Sequence, residues 1–427
     1  DLIKGVRGTT NKDHLLENLA KALLRAKHNI CVNKEGTTRY DATEQPITHF
    51  TSQEIHTSVE KLKELGYQKD IDGKELVEEN QVLEIFPQDI ILPGHDSLEG
   101  SGPQVLFQVT KFIDELLVKF YHTKPFYNLK SKEDLVGHLV IGLAPHTSAG
   151  LVGRIIGYSE IQSLLAHPMY HAGMRRDTDG DEAAVLLLMD ALINFSRRYL
   201  PESRGSKTMD APLVLTSILV PSEVDDQVLG LDVVWRYPLE FYQMALEYKN
   251  PWDIKIEQLN DRLNTPKQYQ DFGFTHPVKN FNNGVQCSAY KTIPTMEEKL
   301  AGQMDIARKV RAVQLEDVAR LVIEKHFLKD IKGNLRKFSM QQFRCVKCNE
   351  KYRRPPLSNK CRKCQGRLLF TISEGSVVKY LNHSLNLAQK YDFSPYLKQC
   401  LELVEADIHL VFGKEKDKQV GLGTFFK

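Results

Sequence analysis

No apolar run in this chain approaches the roughly 20 residues that a membrane span needs, so a membrane-embedded class finds no support. Net charge is also nearly absent. The 57 Lys and Arg stand against 55 Asp and Glu, +2 overall. The molecule is therefore not a generally basic nucleic-acid binder, and any DNA-binding charge has to be local. Internal repeats and low-complexity tracts are missing, which argues against solenoid and linker-like classes. The first residues, Asp1-Leu2-Ile3-Lys4, carry neither an initiator Met nor a signal-peptide apolar region. They read as a segment of something longer or a processed product. Cysteine is scarce and odd in number, at seven. Four fall in two short motifs, while Cys31, Cys287 and Cys400 lie far apart. That distribution reads as intracellular metal binding, not as a disulfide framework.

What is present is an ordinary globular composition, 41% hydrophobic and 26% charged, which excludes disordered and fibrous chains. A length of 427 residues predicts two to four domains. Apolar periodicity predicts helices over residues 12–27, 52–65 and 104–122. Residues 182–199 are apolar on most faces and read as a buried helix ended by Pro201. Strand-like runs cover 213–220 and 229–235. Thr295-Met296-Glu297-Glu298 forms a capping box that opens a helical region to about residue 327. Two further helices are expected at 373–390 and 394–405. The regions so drawn are 1–103 (N-terminal α/β), 104–240 (catalytic), 241–340 (mainly helical), 341–370 (zinc ribbon), 371–412 (helical) and 413–427 (tail).

Three motifs carry chemistry. In Asp177-Thr178-Asp179-Gly180-Asp181 the carboxylates recur every second residue, and Gly180 lets the chain bend where a side chain would block it. Such a cluster of oxygens suits a hard divalent cation such as Mg²⁺, and phosphoryl-transfer enzymes use two such ions. Arg175 and Arg176 precede it, and His167 and His171 lie in His-Pro-Met-Tyr-His. The plain alternative is a turn or a helix N-cap, since Asp181-Glu182 favours a helix start. An EF-hand is rejected because Gly180 comes one residue early and the twelfth position is Leu188.

Cys345-Val-Lys-Cys348 and Cys361-Arg-Lys-Cys364 make CxxC-x12-CxxC, the spacing of a four-thiolate, structural Zn²⁺ site. Between Lys332 and Arg367 lie twelve Lys or Arg against one acid, Glu350. Such a basic ribbon suits a phosphate backbone, or docking on an acidic partner. The chain ends Gln419-Val-Gly-Leu422-Gly-Thr-Phe425-Phe426-Lys427. Gln-x-x-aliphatic-x-x-aromatic-aromatic is the pattern that plugs into a sliding clamp, here through Gln419, Leu422, Phe425 and Phe426. The alternative is a tail folded back on its own protein.

The stretches His138-Leu-Val-Ile-Gly-Leu-Ala-Pro-His146-Thr-Ser-Ala149, His167-Pro-Met-Tyr-His171, Arg175 to Glu182, Arg204-Gly-Ser-Lys207-Thr-Met-Asp210-Ala-Pro212 and Arg344 to Cys364 resemble the large subunit of the archaeal family D replicative DNA polymerases. The likeness runs along nearly the whole chain. It implies DNA-templated synthesis from dNTPs on a primer-template, with Asp179 and Asp181 as the Mg²⁺-binding catalytic carboxylates. It also implies an α+β chain whose catalytic domain is a double-psi β-barrel, the second of two, with helical regions and a small zinc ribbon. Arg175, Arg176, Arg204 and Lys207, with Arg353 and Arg354 of the ribbon, would meet DNA or triphosphate, and His146 and His171 would lie near the site. The family usually has Asn where Asp177 stands. The Asp-x-Asp-Gly-Asp form is similar to the RNA polymerase loop, which leaves Asp177 as either a third ligand or a neighbour and raises RNA synthesis as an alternative. The first barrel and the family's upstream zinc motifs are not evident. The chain therefore reads as the C-terminal part of a large subunit, a split product or a fragment. Expected partners are the upstream half, a small exonuclease subunit and the sliding clamp, in the cytoplasm at the nucleoid. A non-catalytic zinc-containing assembly module, inert without the upstream half, is the competing reading.

Overall fold

The computed structural model describes residues 17–33, 35–94, 101–144, 147, 149–175, 180–195, 214–273, 280–287, 292–370, 372, 374–391 and 393–412. The chain divides into two compact units, Asp1–Ser288 and Ala289–Lys427.

The first unit opens with α1 (Leu19–Lys27), β1 (Tyr40–Pro46), β2 (His49–Thr51), α2 (Val59–Leu65), β3 (Val82–Glu84), β4 (Asp89–Pro93) and α3 (Gly102–Lys119). It continues with β5 (Leu139–Leu143), β6 (Ala149–Ser159), β7 (Ser163–Ala166), α4 (Pro168–Gly173), β8 (Glu182–Leu187), α5 (Leu188–Asn194), β9 (Val214–Thr216) and α6 (Leu239–Leu246). One sheet runs β4-β7-β1-β8-β5-β6-β9, and a further β4–β6 pairing joins its ends, so six strands close into a ring. The β1–β7, β4–β6 and β6–β9 pairs are parallel and the rest antiparallel. Closure removes the exposed edges that an open sheet would present. The β4–β6 register slips between Ile90 and Ile91, which pair with Ile155 and Gly157. Ile156 is the extra residue of this bulge, and its carbonyl accepts from the Thr57 hydroxyl at 2.7 Å.

Both faces of β4 and of β8 beyond Glu182 are buried, whereas β1 exposes Thr43, Gln45 and Pro46. Val140, Ile155, Leu164, Val185 and Leu187 pack with Leu106, Val109, Phe112, Ile113 and Leu116 of α3. Ile91, Ile156 and Leu165 face a second cluster with Val59, Leu62 and Tyr67, and Ile141 and Leu186 meet Ala191. Two of the glycines of residues 135–157 share one cause. Tyr170 of α4 lies across β5 and β6, and a Cβ would stand 2.5 Å from its hydroxyl at Gly142 and 2.7 Å at Gly153. α6 lies outside these clusters. None of its residues is buried, and Trp235 and Trp252 on its two sides are 40% and 77% exposed.

The second unit contains α7 (Met296–Lys309), α8 (Leu315–Leu321), a π-helical turn (Val322–Phe327) and α9 (Leu328–Met340). The three-stranded ribbon β10 (Phe343–Cys345), β11 (Lys351–Tyr352), β12 (Leu368–Phe370) follows, in the order β11-β10-β12. Then come α10 (Glu374–Val378), α11 (Leu381–Lys390) and α12 (Pro395–Phe412). A helical core gathers Leu300, Met304, Ile323, Phe327, Ile331, Val377, Leu381, Leu397, Leu401, Val404 and Ile408.

Several expectations are corrected. The predicted helix 182–199 is a central strand, β8, followed by the short helix α5. A strand buried on both faces carries the same unbroken apolar run as a buried helix, so periodicity does not separate them. The helix-start reading of Asp181-Glu182 falls with it. The strand expected at 213–220 is confined to β9, and that at 229–235 is replaced by a 3₁₀ turn, Asp226–Gly230, and a single bridge from Asp232 to Gln258. The helix expected from residue 52 begins at Val59, capped by the Ser58 hydroxyl, which accepts from Lys61 N–H. Thr295 does cap α7, accepting from Glu298 N–H at 3.2 Å, but the helix breaks after Lys309 and resumes at Leu315. The helix expected at 373–390 breaks between Val378 and Leu381. Strands from both sides of Pro103 share the closed sheet, so the described residues mark no division there, and residues 241–340 are split between the two units. Among the described residues no helix is long and apolar enough to cross a membrane.

Candidate active site and metal centre

Described residues flank the acidic motif on both sides. On one side α4 ends in a turn at Met174 and Arg175, where Arg175 has φ 65°. On the other, Gly180 has φ 98°, and a Cβ there would meet nothing within 4 Å. Glycine at 180 therefore answers to the left-handed backbone and not to crowding. Asp181 follows, half-buried, and its carbonyl accepts from the Glu44 N–H at 2.9 Å. That bond extends the β1–β8 ladder, in which Thr43 pairs with Glu182, by one residue. A carboxylate at a strand end beside open space suits an oxygen-seeking cation. Arg175 is exposed, its guanidinium 4.0 Å from Glu223, which leaves its charge open to an anion from solvent.

Asp177, Asp179, Arg176, His146, Arg204, Lys207 and the tail residues Gln419, Leu422, Phe425 and Phe426 lie outside the described residues. His171 is corrected. It was expected to meet substrate, but its side chain has no exposure, so its ring cannot reach DNA or nucleotide. Its Nδ1 stands 3.9 Å from Glu44 Oε2, and both side chains are 0% exposed. Burial pushes the His171 imidazole down to about 4. His167, also fully buried, is pushed down to about 3, first by burial and then by His171. The His167 Nδ1 accepts from Met169 N–H at 3.0 Å and so caps α4.

Sequence reasoning missed Glu44. It lies in a polar-looking strand, Tyr-Asp-Ala-Thr-Glu-Gln-Pro, far from the acidic motif, and no spacing rule connects the two. It also missed a buried ion pair in which Arg154 donates from Nε and Nη2 to Asp89 at 2.8 and 2.7 Å, while the Tyr67 hydroxyl donates to the same carboxylate at 2.6 Å. Asp89 and Arg154 begin the paired residues of β4 and β6, so this pair fixes the ring's closing seam.

The cysteine motifs converge as their spacing predicted. Cys345, Cys348, Cys361 and Cys364 place their sulfurs within 4.8 Å of one another, the only such metal-holding group among the described residues. The Sγ separations of 3.3 Å (Cys348–Cys364), 3.4 Å (Cys345–Cys364) and 3.5 Å (Cys348–Cys361) approach the ~3.8 Å that tetrahedral Zn–S bonds of ~2.3 Å require. The Tyr352 hydroxyl lies 3.1 Å from Cys361 Sγ. It is the chief reason that this thiol is pushed down, while Cys348 and Cys364 are pushed up, the four thiols titrating together as one cluster. The four-thiolate donor set fits a structural Zn²⁺. Arg353 and Arg354 are exposed on the loop between the two knuckles.

Comparison with known proteins adds to this geometry. A family model described as the DNA polymerase II large subunit DP2 catalytic domain matches residues 1–299. A model of the zinc finger domain of DNA polymerase-epsilon matches residues 339–399, which contain all four cysteines. The DNA polymerase II large subunit of Archaeoglobus fulgidus is 51% identical over 427 residues, covering 100% of this chain and 37% of the relative. That of Methanococcus maripaludis is 51% identical, again over 100% and 37%. That of Pyrococcus furiosus is 50% identical over 414 residues, 96% of this chain and 32% of the relative. The chain thus spans about a third of the length of these relatives. With full-length identity near one half and a family model over its first unit, the chain belongs to the DNA polymerase II large subunit family.

Proposed function

We propose that this chain supplies the acidic wall of a DNA polymerase active site, transferring nucleotides from dNTPs to a primer 3′-hydroxyl. The observation that carries the reading is the mounting of Asp181. It stands at the head of a central strand, bonded to β1 and preceded by a left-handed glycine, inside the stretch that matches the catalytic-domain model. The closed six-strand ring with its mixed pairings supports a double-psi β-barrel as the platform.

Asp179 and Asp181 would hold Mg²⁺, with Asp177 beside them as a third ligand or a neighbour. The metal would supply charge neutralisation for phosphoryl transfer. The chain's own residues would do the rest. α4 and β8 would carry the two ends of the acidic motif, and Arg175, Arg176, Arg204 and Lys207 would neutralise triphosphate or backbone charge. The ribbon, with Arg353 and Arg354 exposed and Lys or Arg at ten other positions of 332–367, would hold the DNA backbone or dock a partner. The small exonuclease subunit and the sliding clamp are the proposed partners, with the tail as clamp ligand. The short span relative to the relatives favours a site completed by the rest of the large subunit, so the chain alone should bind DNA without extending a primer.

The test is primer extension by the assembled polymerase carrying Asp181→Asn or Asp179→Ala. Synthesis should fall at least about a thousandfold with primer-template affinity retained. Wild-type rates from either variant would sink the assignment, and preferential use of rNTPs by the parent enzyme would move it to RNA synthesis.

A further inference from the structure

The two cysteine knuckles of the ribbon stand on different elements. Cys345 ends β10, whereas Cys361 and Cys364 follow the loop that leaves β11. Main-chain N–H groups donate to all four sulfurs: those of Lys347 and Cys348 to Cys345, of Glu350 to Cys348, of Lys363 and Cys364 to Cys361, and of Gly366 to Cys364. The backbone comes so close to the sulfurs that a Cβ at Gly366 would stand 2.8 Å from Cys345 Sγ and 3.2 Å from Cys364 Sγ. A further bond reaches the second knuckle from the strands, and it comes from a side chain. Tyr352 of β11 pairs with Phe343 of β10, and its hydroxyl meets both Cys361 Sγ and the Arg362 N–H, each at 3.1 Å. The direction of these two bonds follows from the protons at hand. The Arg362 N–H donates to the phenol oxygen, which leaves the one phenol hydrogen for the sulfur. A metal-bound cysteine has no S–H to offer, because coordination deprotonates it. With the ion in place Tyr352 is therefore the donor. Four thiolates around one dication leave surplus negative charge on sulfur, and a hydrogen bond to a charged acceptor is among the stronger kinds.

We propose that Tyr352 is a positioning residue of the zinc centre, its hydroxyl donating to the Cys361 thiolate while accepting from Arg362, so that the second knuckle is fastened to the ribbon strands and Cys361 is held in place for the ion. This rests on the reading of the four cysteines as a Zn²⁺ site. The phenol does not touch the metal. It orients a ligand and disperses its charge, as the outer shell of a metal site does, and removal of such a partner typically weakens metal affinity about ten- to a hundredfold. Arg353 and Arg354, both exposed, follow Tyr352 directly, so the same contact also fixes where this pair of cations leaves the strand.

The experiment uses the full chain, parent and Tyr352→Phe, loaded with Zn²⁺ or with Co²⁺ in its place. Zinc affinity is read by competition with a chromogenic chelator. The thiolate-to-cobalt charge-transfer band is read by absorption. Phenylalanine keeps the ring and removes only the oxygen. Zinc affinity should fall about tenfold or more. The band should move to lower energy, because a thiolate that loses a hydrogen bond holds its lone pair less tightly. An affinity within about twofold of the parent overturns the inference. So does a band that stays in place, since a phenol that merely packs leaves the electrons of the sulfur as they were. If Tyr352→Phe does not fold, 3-fluorotyrosine installed at position 352 carries the test. Its more acidic phenol donates more strongly and should move the band to higher energy, and an unmoved band again overturns the inference. A parent chain that binds no zinc by elemental analysis means that the four-thiolate reading itself has failed. A zinc-loaded parent whose affinity and band are indifferent to residue 352 leaves that reading standing without the inference.

Discussion

His167 and His171 make the first unit sensitive to acid. Their folded pKa values, about 3 and about 4, lie below the ordinary 6.5, so under pH 6.5 the unfolded chain binds protons that the folded chain refuses. Their contribution to stability is complete above pH 6.5 and is lost as pH falls through the window toward 4. Within it each ring costs about 1.4 kcal/mol per pH unit. Urea unfolding of the first unit should therefore show a midpoint that drops between pH 7 and 5, and His171→Phe should flatten the drop. Equal midpoints at the two pH values would mean that neither ring is held neutral. At this scale the sequence revealed some things and not others. The four zinc ligands were legible because their spacing is itself the geometry of the site. The Glu44–Asp181 bond was not, because it arises only when β1 is laid beside β8, and no local pattern announces which strand neighbours which.

The ribbon and the ring show two ways in which an element holds together. The ribbon strands are two or three residues long, far too short to stand without a cross-link. Its thiolates do what a core does elsewhere, and structural zinc of this kind is worth about 10–16 kcal/mol in isolated modules. The helical core of the second unit draws on no ribbon residue between Phe343 and Leu368. Stripping zinc with a chelator should thus release one ion per chain and melt β10 to β12 while the helical signal persists. That is checked by elemental analysis with far-UV circular dichroism, and collapse of the helices together with the metal would contradict it. The ring's central strand, by contrast, is held by burial on both faces, which is why β8 was read as helix. Ala183 to Leu187 are apolar in succession, with no polar face to set a period. The glycines at 142 and 153 were visible in the sequence, but their reason was not, since Tyr170 approaches from α4, later in the chain.

The whole molecule presents two units, the first carrying the acidic motif and the second the basic four-cysteine ribbon. The proposed clamp pattern at the terminus belongs to this scale, because it would join the molecule to a partner and not take part in the chemical step. Phe425→Ala with Phe426→Ala should abolish binding to the sliding clamp while distributive primer extension by the assembled enzyme continues. Surface plasmon resonance against immobilised clamp reads the first and gel extension the second, and unchanged clamp affinity would refute the tail assignment. The family was legible from long motifs spread over the chain. The share of the subunit represented was less so, since it shows only against relatives about three times as long.

The stretch around α6 has an optical consequence. The chain has two tryptophans, and both, Trp235 and Trp252, lie on this outlying stretch with substantial exposure. Its intrinsic indole emission therefore comes from the first unit, with Trp252 standing largely in water and Trp235 packed against His49 and donating to Asp271. It is a built-in local gauge, reporting whether the surface around α6 is bathed in water or covered, with no label added.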